Sequence, residues 1–282
     1  MQRLFLVCVA VCVVAVSLHA NDRDIAQQIK AEYHDKTPLL RHFYSGSDLH
    51  YNAQGELLGT TTVGPWTLAR VAIDKVKIEQ DQLRIDGRRA GELPEHEPYF
   101  PAKIIVVPGQ DVHITVELPP ARTEQDVRAI VARVFYKDTA EIVTDLPPYW
   151  RGYFAARGHE PKEQYTVEGD TIFILQPDVS EANFPIIYKV GGRITKPKLL
   201  HDPEPEYEPA ARDAKIQGTI VLWLVVDPEG KPQNIRIMRS LGFGLDDRAA
   251  QTVRDWRFQP ATRDGQPVNV GLHVEVNFRL YR

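Results

Sequence analysis

The sharpest pattern in the chain is an alternation near its end. Val268, Val270, Leu272, Val274, Val276, Phe278 and Leu280 fall on one face, and Asn269, His273, Glu275, Asn277, Arg279 and Tyr281 on the other. A two-residue period of this length predicts a strand over Val268–Tyr281 with one buried face. Just upstream, Leu245, Ala249, Val253 and Trp256 recur at helical spacing, which predicts a helix over Leu245–Trp256. Asp246 and Asp247 suit the positive end of its dipole. Before that, Gly218–Val226 is an almost continuous apolar run, Asp227-Pro228-Glu229-Gly230 is a turn, and Gln233–Arg239 is a return strand. Pro209–Ala214 reads as a short helix opened by proline.

The front of the chain has a different texture. Ile25, Ile29 and Tyr33 mark a short helix over Arg23–Tyr33. Strand patterns follow at Asp48–Tyr51, Glu56–Leu58, Trp66–Glu79, Leu83–Ile85, Lys103–Val107 and Val112–Leu118. Thr123 caps a helix whose stripe is Val127, Ile130, Val131, Val134 and Phe135. Leu146–Phe154 predicts another short helix and Thr171–Leu175 one more strand. Between Pro177 and Pro209 the prolines and Gly191-Gly192 break regular structure. The reading is therefore α+β: a mainly antiparallel β domain over residues 21–180, a connector over 181–202, and a small domain over 203–282 made of helix, β-hairpin, helix and long strand.

The first twenty residues stand apart. Leu4–Leu18 is apolar but for Ser17, follows Arg3, and ends before His19-Ala20. This reads as an export signal cleaved after Ala20, placing the mature protein in the periplasm. The alternative is a retained inner-membrane anchor, although the run is shorter than the ~20 residues a spanning helix needs. Cys8 and Cys12, the 2 cysteines of the chain, both lie in this segment. The mature chain then has neither a disulfide nor a cysteine nucleophile. The formal charge is -4, with no Lys/Arg run, which argues against a nucleic-acid partner.

Catalytic signatures fail on inspection. His96-Glu97 and His159-Glu160 begin a zinc-peptidase pattern, but Phe100 and Glu163 stand where its second histidine belongs. Ser45-Gly46-Ser47 lacks the flanking glycines of a nucleophile elbow. His50 and His113 on neighbouring strands read as a surface pair, and Asp74 and Asp86 act together only if the fold joins them. No catalytic residue, metal site or cofactor is expected.

One succession of motifs is more specific. It runs Pro205-Glu206-Tyr207, Pro209 with Ala211-Arg212, Gln217-Gly218-Thr219-Ile220, and Val226-Asp227 with Gly230. It continues through Ser240 with Gly242, Leu245-Asp246 with Ala249, Trp256-Arg257-Phe258 with Pro260-Ala261, and Gly265-Gln266-Pro267-Val268. In this order the motifs resemble the C-terminal domain of the TonB family. Gly218, Asp227, Gly230, Leu245, Asp246, Trp256, Phe258 and Pro260 read as structural within that pattern.

The resemblance implies a non-enzymatic, periplasmic energy-transducing module. It would bind an extended N-terminal segment of an outer-membrane receptor by strand addition. Carried onto this chain, the binding edge is the last strand, with Val268, Val270, His273, Glu275, Asn277 and Arg279 as partner-binding residues. Inner-membrane motor proteins join the expected partners if the leading segment is retained. Two alternatives stay open: an envelope scaffold whose terminal domain pairs with itself or with the cell wall, or an enzyme with a site in residues 36–176.

Overall fold

The computed structural model describes residues 21–94, 102–150, 153–154, 164–168, 171–175 and 186–280. The chain is α+β, and its described residues fall into two compact units. One holds the residues up to Gly91 with Ile104–Asp138; the other holds Glu92–Lys103 and the residues from Thr139 onward.

The first unit is a twisted sheet under two helices. Its strands are β1 (Leu39–Leu40), β2 (Asp48–Tyr51), β3 (Leu57–Leu58), β4 (Arg70–Glu79), β5 (Gln82–Leu93), β6 (Lys103–Glu117) and β7 (Phe135–Tyr136), in spatial order β3-β2-β6-β5-β4-β1-β7. Helix α1 (21–33) buries Ile25 and Ile29, and α2 (Glu124–Val134) buries Val127, Ile130, Val131 and Val134. Thr123 and Asp126 close a reciprocal capping box at the start of α2, as the spacing predicts. The opposite face of the sheet is polar. Asp74 is bound through both oxygens by Arg88 at 2.9 Å, and Asp86 pairs with His113 at 2.8 Å. Each of these carboxylates is thus held by its own basic partner in an ion-paired sheet face. His113 takes Asp86 while His50 sits opposite Leu58, and no metal-binding cluster occurs among the described residues.

The second unit contains β8 (Gln164–Glu168), β9 (Thr171–Leu175), β10 (Ile187–Lys189), β11 (Lys198–His201), β12 (Gly218–Val226), β13 (Pro232–Arg239), β14 (Arg257–Gln259), β15 (Ala261–Arg263), β16 (Gln266–Val268) and β17 (Val270–Phe278). Helix α3 is Pro209–Asp213 and α4 is Leu245–Val253. The main sheet has the order β13-β12-β17-β10-β9-β8.

Several expectations are corrected here. The division at residue 180 falls inside this unit, because β8 and β9 join the sheet through β10. Residues 186–202 of the connector pack within this unit. They contribute β10, which pairs with β17, and β11, which pairs with β14. The long final strand is broken. Asp264 (φ 49) and Gly265 (φ 85) turn the chain, so Val268 belongs to the short β15–β16 hairpin opposite Ala261. Of the predicted helix over Leu146–Phe154, Pro148–Trp150 is a 3-10 turn and Tyr153–Phe154 are helical, with residues 151–152 outside the described set. The predicted strand over Trp66–Glu79 opens with a 3-10 turn at Trp66–Leu68. The expected leader and its cleavage point lie outside the described residues. Among the described residues no helix is long and apolar enough to cross a membrane.

Candidate functional site

The hairpin β12–β13 is pinned by Asp227. Its carboxylate accepts from the backbone N–H of Glu229 (3.1 Å) and Lys231 (2.8 Å) and from Gln233 Nε2 (3.0 Å). Gly230 follows at φ 77, and its carbonyl accepts from Phe258 N–H at 2.8 Å. A Cβ at Gly230 would stand 1.9 Å from the Phe258 carbonyl oxygen. Gly230→Ala therefore combines a left-handed backbone with a backbone clash. We expect it to cost at least ~2 kcal/mol, read as a lowered urea midpoint with unchanged slope.

Helix α4 packs Leu245, Ala249 and Val253 into the core beside the buried Trp256 and Phe258. Trp256 Nε1 donates to the Pro203 carbonyl at 3.3 Å, so the tryptophan also anchors the chain that enters the domain. Arg257, between the two aromatics, is exposed and donates to the Trp256 carbonyl at 2.7 Å. Pro260 is partly exposed beside the buried Ala261. Gly218 leaves room for Leu241, whose Cδ1 lies 2.8 Å from where a Cβ would be.

Asp246 does more than complement a helix dipole. It is fully buried, and it accepts from Ser240 Oγ (2.9 Å), Leu241 N–H (2.9 Å) and Gly242 N–H (2.6 Å). Burial pushes its carboxyl up to about 7, with those hydrogen bonds opposing and Asp247 adding to the rise. Asp247 is pushed up to about 6, also by burial, against hydrogen bonds from Tyr149 (2.6 Å) and Trp150.

These elements deliver β17. One side of it is fully paired with β12, antiparallel and without a register break, from Gly218↔Phe278 to Val226↔Val270. On the other side β10 lies parallel and covers only Val270 and Gly271. Tyr188 N–H donates to the Asn269 carbonyl at 2.9 Å, so the backbone of residue 269 faces β10. Strand alternation then turns the N–H and C=O of Gly271, His273, Glu275 and Asn277 to that same side. No strand pairs with residues 272–278 on that side among the described residues.

The open edge faces a groove of about 900 Å³. Residues 272–279 form one wall. The other is the stretch from Lys196 to Tyr207, and Trp256 and Phe258 lie between them. Of the residues expected to bind a partner, His273, Glu275, Asn277 and Arg279 line the groove with exposed side chains. Val268 and Val270 do not line it. Val268 is committed to β15, and the buried Val270 has β10 on one side and β12 on the other. Sequence reasoning assigns residues 196–202 to a connector and 203–207 to the terminal domain, and it identifies neither as a groove wall. The prolines suit a linker, yet β11 lies antiparallel to Arg257–Gln259 and fixes the stretch in place.

The C-terminal part of the chain is similar to known proteins. The family described as "Gram-negative bacterial TonB protein C-terminal" matches residues 203–280. Protein TonB of Vibrio cholerae is 30% identical over 89 residues, which are 31% of this chain and 36% of that protein. Protein tonB2 of Pseudomonas aeruginosa is 34% identical over 82 residues, 29% of this chain and 30% of that one. Protein TonB of Xanthomonas campestris is 36% identical over 77 residues, 27% of this chain and 34% of that one. The solution NMR structure of the Pseudomonas aeruginosa TonB C-terminal domain covers 33% of this chain at 21% identity, with a TM-score of 0.28. The chain thus spans about a third of the length of the curated relatives it matches. Residues 203–280 are a TonB C-terminal domain of the Gram-negative bacterial family.

Proposed function

We propose that this chain is an exported, non-enzymatic binding protein of the envelope whose TonB-type domain takes up an extended peptide along β17. The partner in this reading is a segment of an outer-membrane receptor. The observation that carries it is the open edge at His273–Asn277, with backbone donors and acceptors turned into a groove. A peptide strand lying there would pair with the N–H and C=O of His273, Glu275 and Asn277, and its side chains would alternate between the Trp256–Phe258 floor and solvent. Affinity would come from backbone pairing, and selectivity from the groove walls.

Amide chemical shifts of the full mature chain test this. Titration with peptides from the N-terminal segments of outer-membrane receptors is expected to move His273, Glu275 and Asn277 first, with Val274 and Val276 following weakly. Saturating peptide that leaves the amides of residues 272–279 unmoved would refute strand addition. Shifts confined to the first unit would instead direct attention to its sheet.

A further inference from the structure

Two polar groups of the first unit are buried with bonding capacity to spare. Arg89, on β5, is 5% exposed, and Tyr51, on β2, is 2% exposed. Arg89 Nη2 donates to the Gly46 carbonyl at 2.7 Å. Its Nη1 and the Tyr51 hydroxyl have no hydrogen-bond partner among the described residues, and no carboxylate there pairs with the guanidinium. Burial pulls the Arg89 guanidinium down to about 10, with Tyr51 opposing. Burial pushes the Tyr51 phenol up, Tyr44 adds to the rise and Arg89 opposes it, so Arg89 and Tyr51 lie within electrostatic reach of each other. A charge taken out of water is normally matched by an opposite one. The described residues supply no such match for Arg89.

Both groups lie one layer behind a surface pocket of about 890 Å³, which Tyr44 and Thr61 help to line. The Tyr44 ring packs on Tyr51, with centroids 6.4 Å apart. Thr61 Oγ1 lies 2.7 Å from where a Cβ at Gly46 would stand, and Gly46 is the residue whose carbonyl holds Arg89. The turn that forms this wall is strained. His42 and Phe43 stand at φ 57 and 53, left-handed for two residues that are not glycine. It brings the His42 and Tyr44 rings, 5.7 Å apart, to the pocket lining. Gln54 and Thr60 add an amide and a hydroxyl, and the exposed Arg133 adds a positive charge at the rim. Glu56 also lines the pocket, but its carboxylate is engaged by Asn52 Nδ2 at 2.8 Å. The Tyr44 hydroxyl makes no hydrogen bond among the described residues, so packing alone holds its ring.

We propose that this pocket binds a saccharide bearing one carboxylate, with the Tyr44 ring turning aside so that the carboxylate reaches Arg89 Nη1 and a sugar hydroxyl reaches Tyr51. One buried guanidinium balances one negative charge, which suits a carboxylate. A phosphate dianion would leave a charge uncompensated in the same dry place. Aromatic rings beside amide and hydroxyl side chains suit a sugar, whose C–H faces pack on rings while its hydroxyls form hydrogen bonds. The site belongs to the first unit and lies outside residues 203–280, so it does not depend on strand addition at β17.

Calorimetric titration of the full mature chain with glucuronate, glucose and the phosphate ester of glucose tests this. Glucuronate is expected to bind roughly tenfold more tightly than glucose. The preference should persist at ~0.5 M salt, because a buried guanidinium is little screened, whereas attraction to the exposed Arg133 would fade. Arg89→Met should bring glucuronate down to the level of glucose while leaving the melting temperature unchanged or raised, since an unmatched buried charge is removed. Tyr51→Phe keeps the ring and should weaken glucuronate several-fold without lowering the melting temperature. Equal binding of glucuronate and glucose, or a preference lost in salt, would overturn the pairing of the carboxylate with Arg89. Tighter binding of the phosphate ester would overturn the single-charge match. Should Arg89→Met fail to fold, unchanged glucuronate affinity in Tyr51→Phe would overturn the proposal on its own. Absence of binding by all three probes would show that internal water alone serves Arg89 and Tyr51, and the site would be withdrawn.

Discussion

Glu275→Pro is expected to weaken peptide addition at least tenfold and leave the domain folded, whereas Val274→Pro should unfold it. The two positions are adjacent, and the difference lies in which way their backbone points. The N–H of Glu275 faces the open side of β17, so proline there takes nothing from the pairing with β12. Proline is tolerated in edge strands on this condition. Its ring, however, projects into the lane a ligand strand would occupy and removes one donor from it. The loss of about 1 kcal/mol for the missing hydrogen bond, together with steric exclusion, should weaken peptide binding at least tenfold. Val274 lies opposite Leu222 in the β12 ladder, and its N–H points inward. Proline at that position breaks a ladder bond and crowds the partner strand, at a cost of ~3 kcal/mol or more. Calorimetric titration and thermal melts of the two variants separate the effects. Equal peptide affinity for Glu275→Pro and the parent would show that the ligand does not add to this edge.

Much of that geometry is legible in the sequence, and the rest is not for identifiable reasons. The alternation over Val270–Phe278, the Asp227–Gly230 turn and the stripe of α4 as far as Val253 are local patterns, and the structure keeps them over those residues. The occupation of the edge by β10 is not local. It joins Tyr188 to Val270 through a strand of 3 residues, too short to show a period. That pairing removes Val270 from the accessible edge, and the Asp264–Gly265 turn diverts Val268. The groove wall was hidden differently. Lys196–Tyr207 is rich in proline, and sequence reasoning assigns its first part, up to residue 202, to a connector. The prolines do prevent a helix, but Trp256 and β14 supply the partners that an isolated linker lacks. For Asp246 the position was recognised and its role was not. A helix-dipole reading accounts for an acid in the first turn, whereas the spacing Ser240-x-Gly242-x-x-x-Asp246 encodes a carboxylate that folds back onto the preceding loop.

That loop sets the largest expected stability effect. Gly242, Phe243 and Gly244 stand at φ 80, 51 and 74, a run of left-handed residues that includes a fully buried phenylalanine. The Asp246 carboxylate holds the run through Ser240, Leu241 and Gly242. Asp246→Ala would leave these donors buried without an acceptor. At 1–3 kcal/mol for each, and with partial relaxation of the loop, the net cost is roughly 3–5 kcal/mol. Tryptophan fluorescence during urea unfolding reads this, since Trp150, Trp223 and Trp256 all belong to the second unit. The same group makes stability depend on pH. The folded carboxyls of Asp246 and Asp247 bind protons more tightly than in the unfolded chain, at about 7 and about 6 against 3.8. The folded state therefore holds extra protons between those values. Their stabilising contribution is complete below 3.8 and is lost as pH rises through about 6 and then about 7. Asp74 and Asp126 act in the opposite sense, because hydrogen bonds hold their carboxyls below 3.8. Their contribution is present above 3.8 and disappears in stronger acid. The second unit should melt several degrees higher at about pH 5 than at about pH 8. Asp246→Asn should flatten that slope while retaining one acceptor oxygen for the loop. A parent protein whose melting temperature is flat or rising over this interval would show that burial does not dominate these two carboxyls, and that the three hydrogen bonds to Asp246 suffice to keep it charged.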